Sequence, residues 1–160
     1  MTANTKWVGG AVGLTYASAG FTAANFNSLA SGSCVVASTA TANQTNLDLW
    51  YQVSFALTVG GTTTAISYLA LYWLPLNQDG TTYGDGTTSG TVAPAQTYWV
   101  GNATVRSGLT SGSVVTGTFP AITVPPTAGV WVIVNNLGVA LSATAAASVQ
   151  MIDFNVNLNG

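Results

Sequence analysis

The sequence predicts an all-β protein: a single-domain antiparallel β-sandwich of jelly-roll type, with about eight strands and at most one short helix. Three observations predict it. Leu47, Leu49, Tyr51, Val53, Phe55, Leu57 and Val59 alternate strictly with more polar neighbours, the period of a strand with one buried face. Gly, Pro, Asn and Asp turns punctuate the chain about every 8–12 residues, the spacing of an all-β sandwich or barrel. At 160 residues and 48% hydrophobic, the chain suits one domain with a sizeable core. Eight strands favour a two-sheet jelly roll. An immunoglobulin-like sandwich is the alternative, although a cysteine pair around a Trp is absent.

The elements follow in order. An apolar segment surrounds Trp7 and Val8. Thr22 can cap a short helix over Ala23 to Ala30, stopped by Gly32. Cys34 to Ala37 reads as a short strand and Ala40 to Asn46 as a polar link. The long alternating strand, Leu47 to Val59, ends at Gly60-Gly61. Ala65 to Leu74 is apolar on both faces, so it is covered on both sides or meets a partner. Leu76 to Pro94 is a loop longer than a plain connection needs, which marks it as functional or interfacial. Strands follow over Gln96 to Val105, Ser113 to Phe119, Ala121 to Val124, Val130 to Asn135, Val139 to Ala143 and Ala147 to Leu158. Residues 1–160 are expected to form one domain, with an N-terminal arm and short helix within 1–45 and the sandwich core in 46–160.

Charge excludes much. Lys6, Asp48, Asp79, Asp85, Arg106 and Asp153 are the only ionised side chains, and there is no His. Proton shuttles, metal clusters and charged clamps therefore lack their usual residues. The expectation is no enzyme, no cofactor and no resident metal. Two basic residues cannot neutralise a phosphate backbone, so no nucleic acid is expected as partner. No apolar run reaches the ~20 residues of a spanning helix, and no signal-peptide core follows Met1, so we expect no membrane partner and a cytoplasmic product. A surface this poor in charge is a poor free surface, since soluble surfaces carry ~25–35% charged residues. Self-association or docking is the natural reading.

Single features have plain readings beside sharper ones. Cys34 stands alone and reads as a small buried apolar side chain. Asp79-Gly80 and Asp85-Gly86 read as two turns, with Gly taking φ > 0; two carboxylates are thin for calcium, which wants ~6–8 oxygens. Asp48 and Asp153 fall on the polar faces of different strands, which reads as solvation rather than as a hydrolase pair. Most aromatics should be core. Trp50 lies opposite the apolar row of its strand, where an exposed Trp would suit a partner or a sugar.

Three stretches carry a resemblance. Tyr72-Trp73-Leu74-Pro75-Leu76-Asn77-Gln78-Asp79-Gly80-Thr81-Thr82-Tyr83-Gly84-Asp85-Gly86 resembles a segment of small tailed-bacteriophage virion proteins. Val124-Pro125-Pro126 with Val132 to Leu141, and Asn25 to Gly32, are similar to two further segments of that family, in the same order. The family is that of capsid cement, or decoration, proteins. The resemblance implies a jelly roll on the outer head surface of the virion, made in the host cytoplasm. It further implies contacts with the major capsid protein and with itself, as a homotrimer, and no catalytic residues. Our interface candidates are Trp7, Trp50, Tyr68, Tyr72, Trp73, Tyr83 and Trp99. The alternative function is a tail or fibre β-sandwich module that binds host glycan.

Overall fold

The computed structural model describes residues 4–9, 17–84, 93–144 and 147–159, with residues 4–9 and 156–159 given by backbone alone. Eight principal strands build two antiparallel sheets. They are β1 (Asn4–Gly9), β3 (Cys34–Val36), β5 (Trp50–Thr58), β6 (Ser67–Pro75), β7 (Trp99–Val105), β8 (Val114–Thr118), β10 (Ala128–Asn136) and β11 (Ser148–Asn159). Three two-residue strands flank them: β2 (Ala17–Ser18) on β11, β4 (Thr41–Ala42) on β10, and β9 (Ile122–Thr123) on β5. One sheet runs β1-β11-β5-β8 and the other β3-β10-β6-β7. Among the principal strands, first pairs with last, second with seventh, third with sixth and fourth with fifth. A long antiparallel ribbon rolled on itself gives this order, which is the jelly roll.

The long alternating strand folds as its pattern dictates. Tyr51, Val53, Phe55, Leu57 and Val59 are buried between the sheets, and Trp50, Gln52, Ser54, Ala56 and Thr58 lie half-buried on the outer side. Opposing them are Leu69, Leu71 and Trp73 of β6 and Trp131 and Ile133 of β10. Tyr51, Trp131 and Trp73 form an aromatic row, with ring centroids 5.9 and 4.6 Å apart. Such tilted pairs add about 0.5–1.5 kcal/mol each beyond their buried area.

The start of that strand departs from the pattern. Leu47 and Leu49 belong to the apolar row by period, yet both are exposed, Leu47 at 64%. The polar link before them contains a helical turn, α1 (Asn43–Asn46), and Leu47 caps it in the left-handed conformation at φ 54°. That costs an L-residue about 1–2 kcal/mol, and it breaks the alternation by one position. Asp48 turns inward instead, at 2% exposure.

The last strand also inverts its expected faces. Asp153 pairs with Tyr51 and is fully buried, while Ile152 and Phe154 pair with Gln52 and Trp50 on the outer side. The expectation of a solvated Asp48 and Asp153 is therefore wrong. Both sit in the interior, and Asn155 donates to the Asp48 carboxylate there.

Smaller corrections follow. The helix expected over Ala23 to Ala30 shrinks to a 3₁₀ turn, Ala23–Phe26. Asn25 Oδ1 accepts the Thr22 backbone N–H at 2.6 Å and its hydroxyl at 2.8 Å, and Ser28 at φ 53° stops any continuation. The stretch Val139 to Ala143 contributes one bridge, Leu141 to Val59, rather than a strand. Gln96–Tyr98 is a 3₁₀ turn ahead of β7. Cys34 is buried, as expected.

Strand β6 is covered on both sides. Its outer side, Ala70, Tyr72 and Leu74, joins Cys34, Val130, Val132 and Val134 in a second apolar cluster, against which Tyr68, Tyr83 and Tyr98 pack. Residues 76–84 of the long loop fold back to bring Tyr83 there. Leu76 bridges Tyr83, the Asn77 N–H donates to Thr82 O at 2.8 Å, and the Gly84 N–H donates to Pro75 O at 3.0 Å. Ile66 falls before β6 and is 81% exposed, so it is outside the expected row.

Candidate functional site

Two surface features and one buried network lie at the same end of the sandwich, around the start of β5. The first feature is a cleft of about 500 Å³. It opens where β9 of one sheet and the start of β7 of the other part. Trp50, Trp73, Tyr98 and Trp99 supply its aromatic walls, and Thr97 and Thr123 supply hydroxyls. Trp99 is 43% exposed, and its indole N–H donates to Asn102 Oδ1 at 3.0 Å, which restrains the ring. Tyr98 donates its hydroxyl to Gly84 O at 2.8 Å, tying the covering loop to the cleft wall. Gly129 lies directly against the Trp73 ring, and a Cβ there would collide with it. Trp73 is thus clamped between Gly129 and Trp131.

The second feature is the outer face of the β1-β11-β5-β8 sheet. Trp50 and Phe154 stack on it with planes 4° apart and centroids 6.4 Å apart, and Ile152 lies beside them. All three are half-buried. Leu47 and Leu49 stand exposed ahead of β5.

The buried network holds this end together. Asn43 Oδ1 accepts the Asp48 backbone N–H and the Tyr51 hydroxyl, each at 2.9 Å. Its Nδ2 donates to Asp48 O at 3.1 Å and to Pro125 O at 3.0 Å. Asn155 donates to Asp48 Oδ1 at 3.0 Å and accepts the Leu49 N–H at 2.9 Å. Burial raises the Tyr51 pKa, and the nearby Asp48 and Asp153 carboxylates raise it further. A neutral phenol is held there as a donor. The arrangement offers no opening for a substrate beside the carboxylates, so it reads as structural.

The Asp79 turn is built as its sequence implies. Asp79 Oδ1 accepts the N–H groups of Thr81 and Thr82 at 2.9 Å each, Oδ2 accepts the Thr82 hydroxyl at 2.6 Å, and Gly80 takes φ 70°. The hydrogen bonds from Thr82 and then Thr81 lower its pKa to about 2. The second turn, at Asp85, lies outside the described residues. Among the described residues no group of three or more His, Cys, Asp or Glu gathers, and no helix is long and apolar enough to cross a membrane.

The structure separates the seven interface candidates. Trp50 and Trp99 are accessible at the cleft. Tyr68 and Tyr83 are part of the cover over the second cluster. Tyr72 and Trp73 are buried, so neither offers a free surface; neighbours on both sides of β6 enclose them. The Trp7 side chain lies outside the described residues, and its backbone pairs with Val156. Sequence reasoning missed Phe154 and Ile152, whose strand was assigned to the opposite face, and Tyr98, Thr97 and Thr123, which only the fold brings to Trp50. It also missed the exposure of Leu47, Leu49, Ile66 and Val114.

Comparison with known proteins identifies no family for the chain. No family model matches the chain, and no curated protein matches it. Among solved structures, the chain is similar to the N-terminal cellulose-binding domain of β-1,4-glucanase C from Cellulomonas fimi. That similarity is 17% identity over 98% of this chain and 90% of that one, with a TM-score of 0.25.

Proposed function

We propose that this chain is a structural protein of a phage virion, a cement protein that binds the outer head surface and joins neighbouring major capsid subunits. The observation that carries the proposal is the outer face of the β1-β11-β5-β8 sheet. The register of β11 sends Asp153 inward and leaves Ile152 and Phe154 outside beside Trp50. A free-standing sandwich keeps such a face polar. A face with stacked aromatics at one end, on a chain with six charged side chains, gains most by being covered there. The resemblance to decoration proteins supports the same reading, and implies assembly as a trimer. Added buried surface across capsomer junctions would then resist pressure from packaged DNA.

Mass spectrometry and cryo-electron microscopy of purified particles test this. The expected result is the chain in amounts comparable to the major capsid subunit, with density on the outer shell. A few copies confined to the tail would favour the tail or fibre module, and absence from the particle would end the virion reading.

A further inference from the structure

We propose that the cleft between β9 and β7 is a binding site for a neutral saccharide, with one sugar ring stacked on Trp99. The chemistry of the lining selects this class. Among the described residues, no charged side chain lines the cleft. A phosphate, nucleotide or ionic peptide would lose hydration there without gaining a counter-charge. A wholly apolar ligand would strip water from Thr97 and Thr123 without replacing those hydrogen bonds. A pyranose has an apolar C–H face and a rim of hydroxyls, so it matches an aromatic wall flanked by Thr hydroxyls.

One further observation supports it. Trp99 is exposed, and its indole N–H bonds Asn102 Oδ1 at 3.0 Å, which restrains the ring and lowers the ordering cost of stacking on it. The size suits one or two sugar rings, since ligand sites commonly span about 300–1,000 Å³.

The inference rests on the cleft alone and does not depend on the virion reading. The full chain would be titrated with uncharged hexasaccharides of glucose, xylose, galactose and N-acetylglucosamine, and with a proline-rich peptide. Tryptophan fluorescence and the Trp99 indole N–H resonance would report binding. The expected result is saturable binding of at least one sugar, weakened about tenfold or more by Trp99→Ala and partly restored by Trp99→Phe. Asn102→Ala should weaken it less, and Ser54→Asp not at all. No binding of any sugar up to about 10 mM, binding indifferent to Trp99→Ala, or capture of the peptide alone would each overturn the proposal.

Discussion

The outer faces of the two sheets are finished differently. On the β3-β10-β6-β7 sheet, seven apolar residues from Cys34 to Val134 are buried, and Tyr68, Tyr83 and Tyr98 pack over them. On the β1-β11-β5-β8 sheet, Trp50, Ile152 and Phe154 stay half-open beside Gln52, Ser54 and Thr58. The chain thus covers one sheet with its own loop and leaves the other for something else. Residues 76–84 of the long loop help to cover that second core, with Tyr83 turned inward and residues 77–82 exposed.

Placing a charge on each face tests that contrast most severely. Val132→Asp puts a carboxylate into the covered face, where Val132 is fully buried. It should cost about 3–5 kcal/mol in a denaturant titration. A cost under about 1 kcal/mol would mean that the cover is not packed. Tyr98→Phe removes only the hydroxyl that holds Gly84, and should cost about 0.5–1.5 kcal/mol. Faster amide exchange at Gly84 should accompany it; unchanged exchange would show that the loop is held by other means. Ser54→Asp, on the open face, loses the hydroxyl bond to Gly117 O and should cost about 0.5–1.5 kcal/mol. In particles the same substitution should weaken docking, and full occupancy on the shell would move the proposed interface elsewhere.

The smallest effect concerns the covering loop and pH. The Asp79 carboxylate is favoured in its ionised form, so the folded turn binds its proton less readily than the open one. The support it gives the loop is complete above the ordinary carboxylate range near 4, and is lost as pH falls towards about 2. The Thr81 and Thr82 amide resonances should hold their positions down to about pH 3 and shift below it. A shift centred near pH 4 would show that the turn does not hold the carboxylate.

Much of the covered side was legible in the sequence. Ala65 to Leu74 is apolar on both faces, and strict alternation over Tyr51 to Val59 fixes which side of β5 is buried. The Asp79-Gly80 turn follows from residue chemistry alone. The open side was harder to read for a physical reason. In β11 the row Met151, Asp153 and the row Ile152, Phe154 have the same period, and hydropathy favours burying the second. The fold instead turns Asp153 inward, opposite Tyr51 and beside the network anchored by Asn43 and Asn155, and leaves Met151 half-buried. Nothing local announces that partner. Leu47 misled for a similar reason: its left-handed cap depends on α1, which the polar run Asn43–Asn46 does not advertise. The cleft was illegible because Trp50, Trp73, Trp99 and Thr123 come from four separate strands.

The rolled ribbon sets the order in which the chain can become sound. In each sheet an early strand waits for a late one: β1 for β11, β3 for β10. During synthesis, β5 and β6 therefore stand with an open edge until most of the chain has been made. Long-range pairing of this kind is slow, and open edges invite pairing with other chains. A sequence with so few charges has little electrostatic repulsion to keep nascent copies apart. Its yield at high expression should thus be governed by how fast β10 and β11 arrive rather than by the stability of the finished roll.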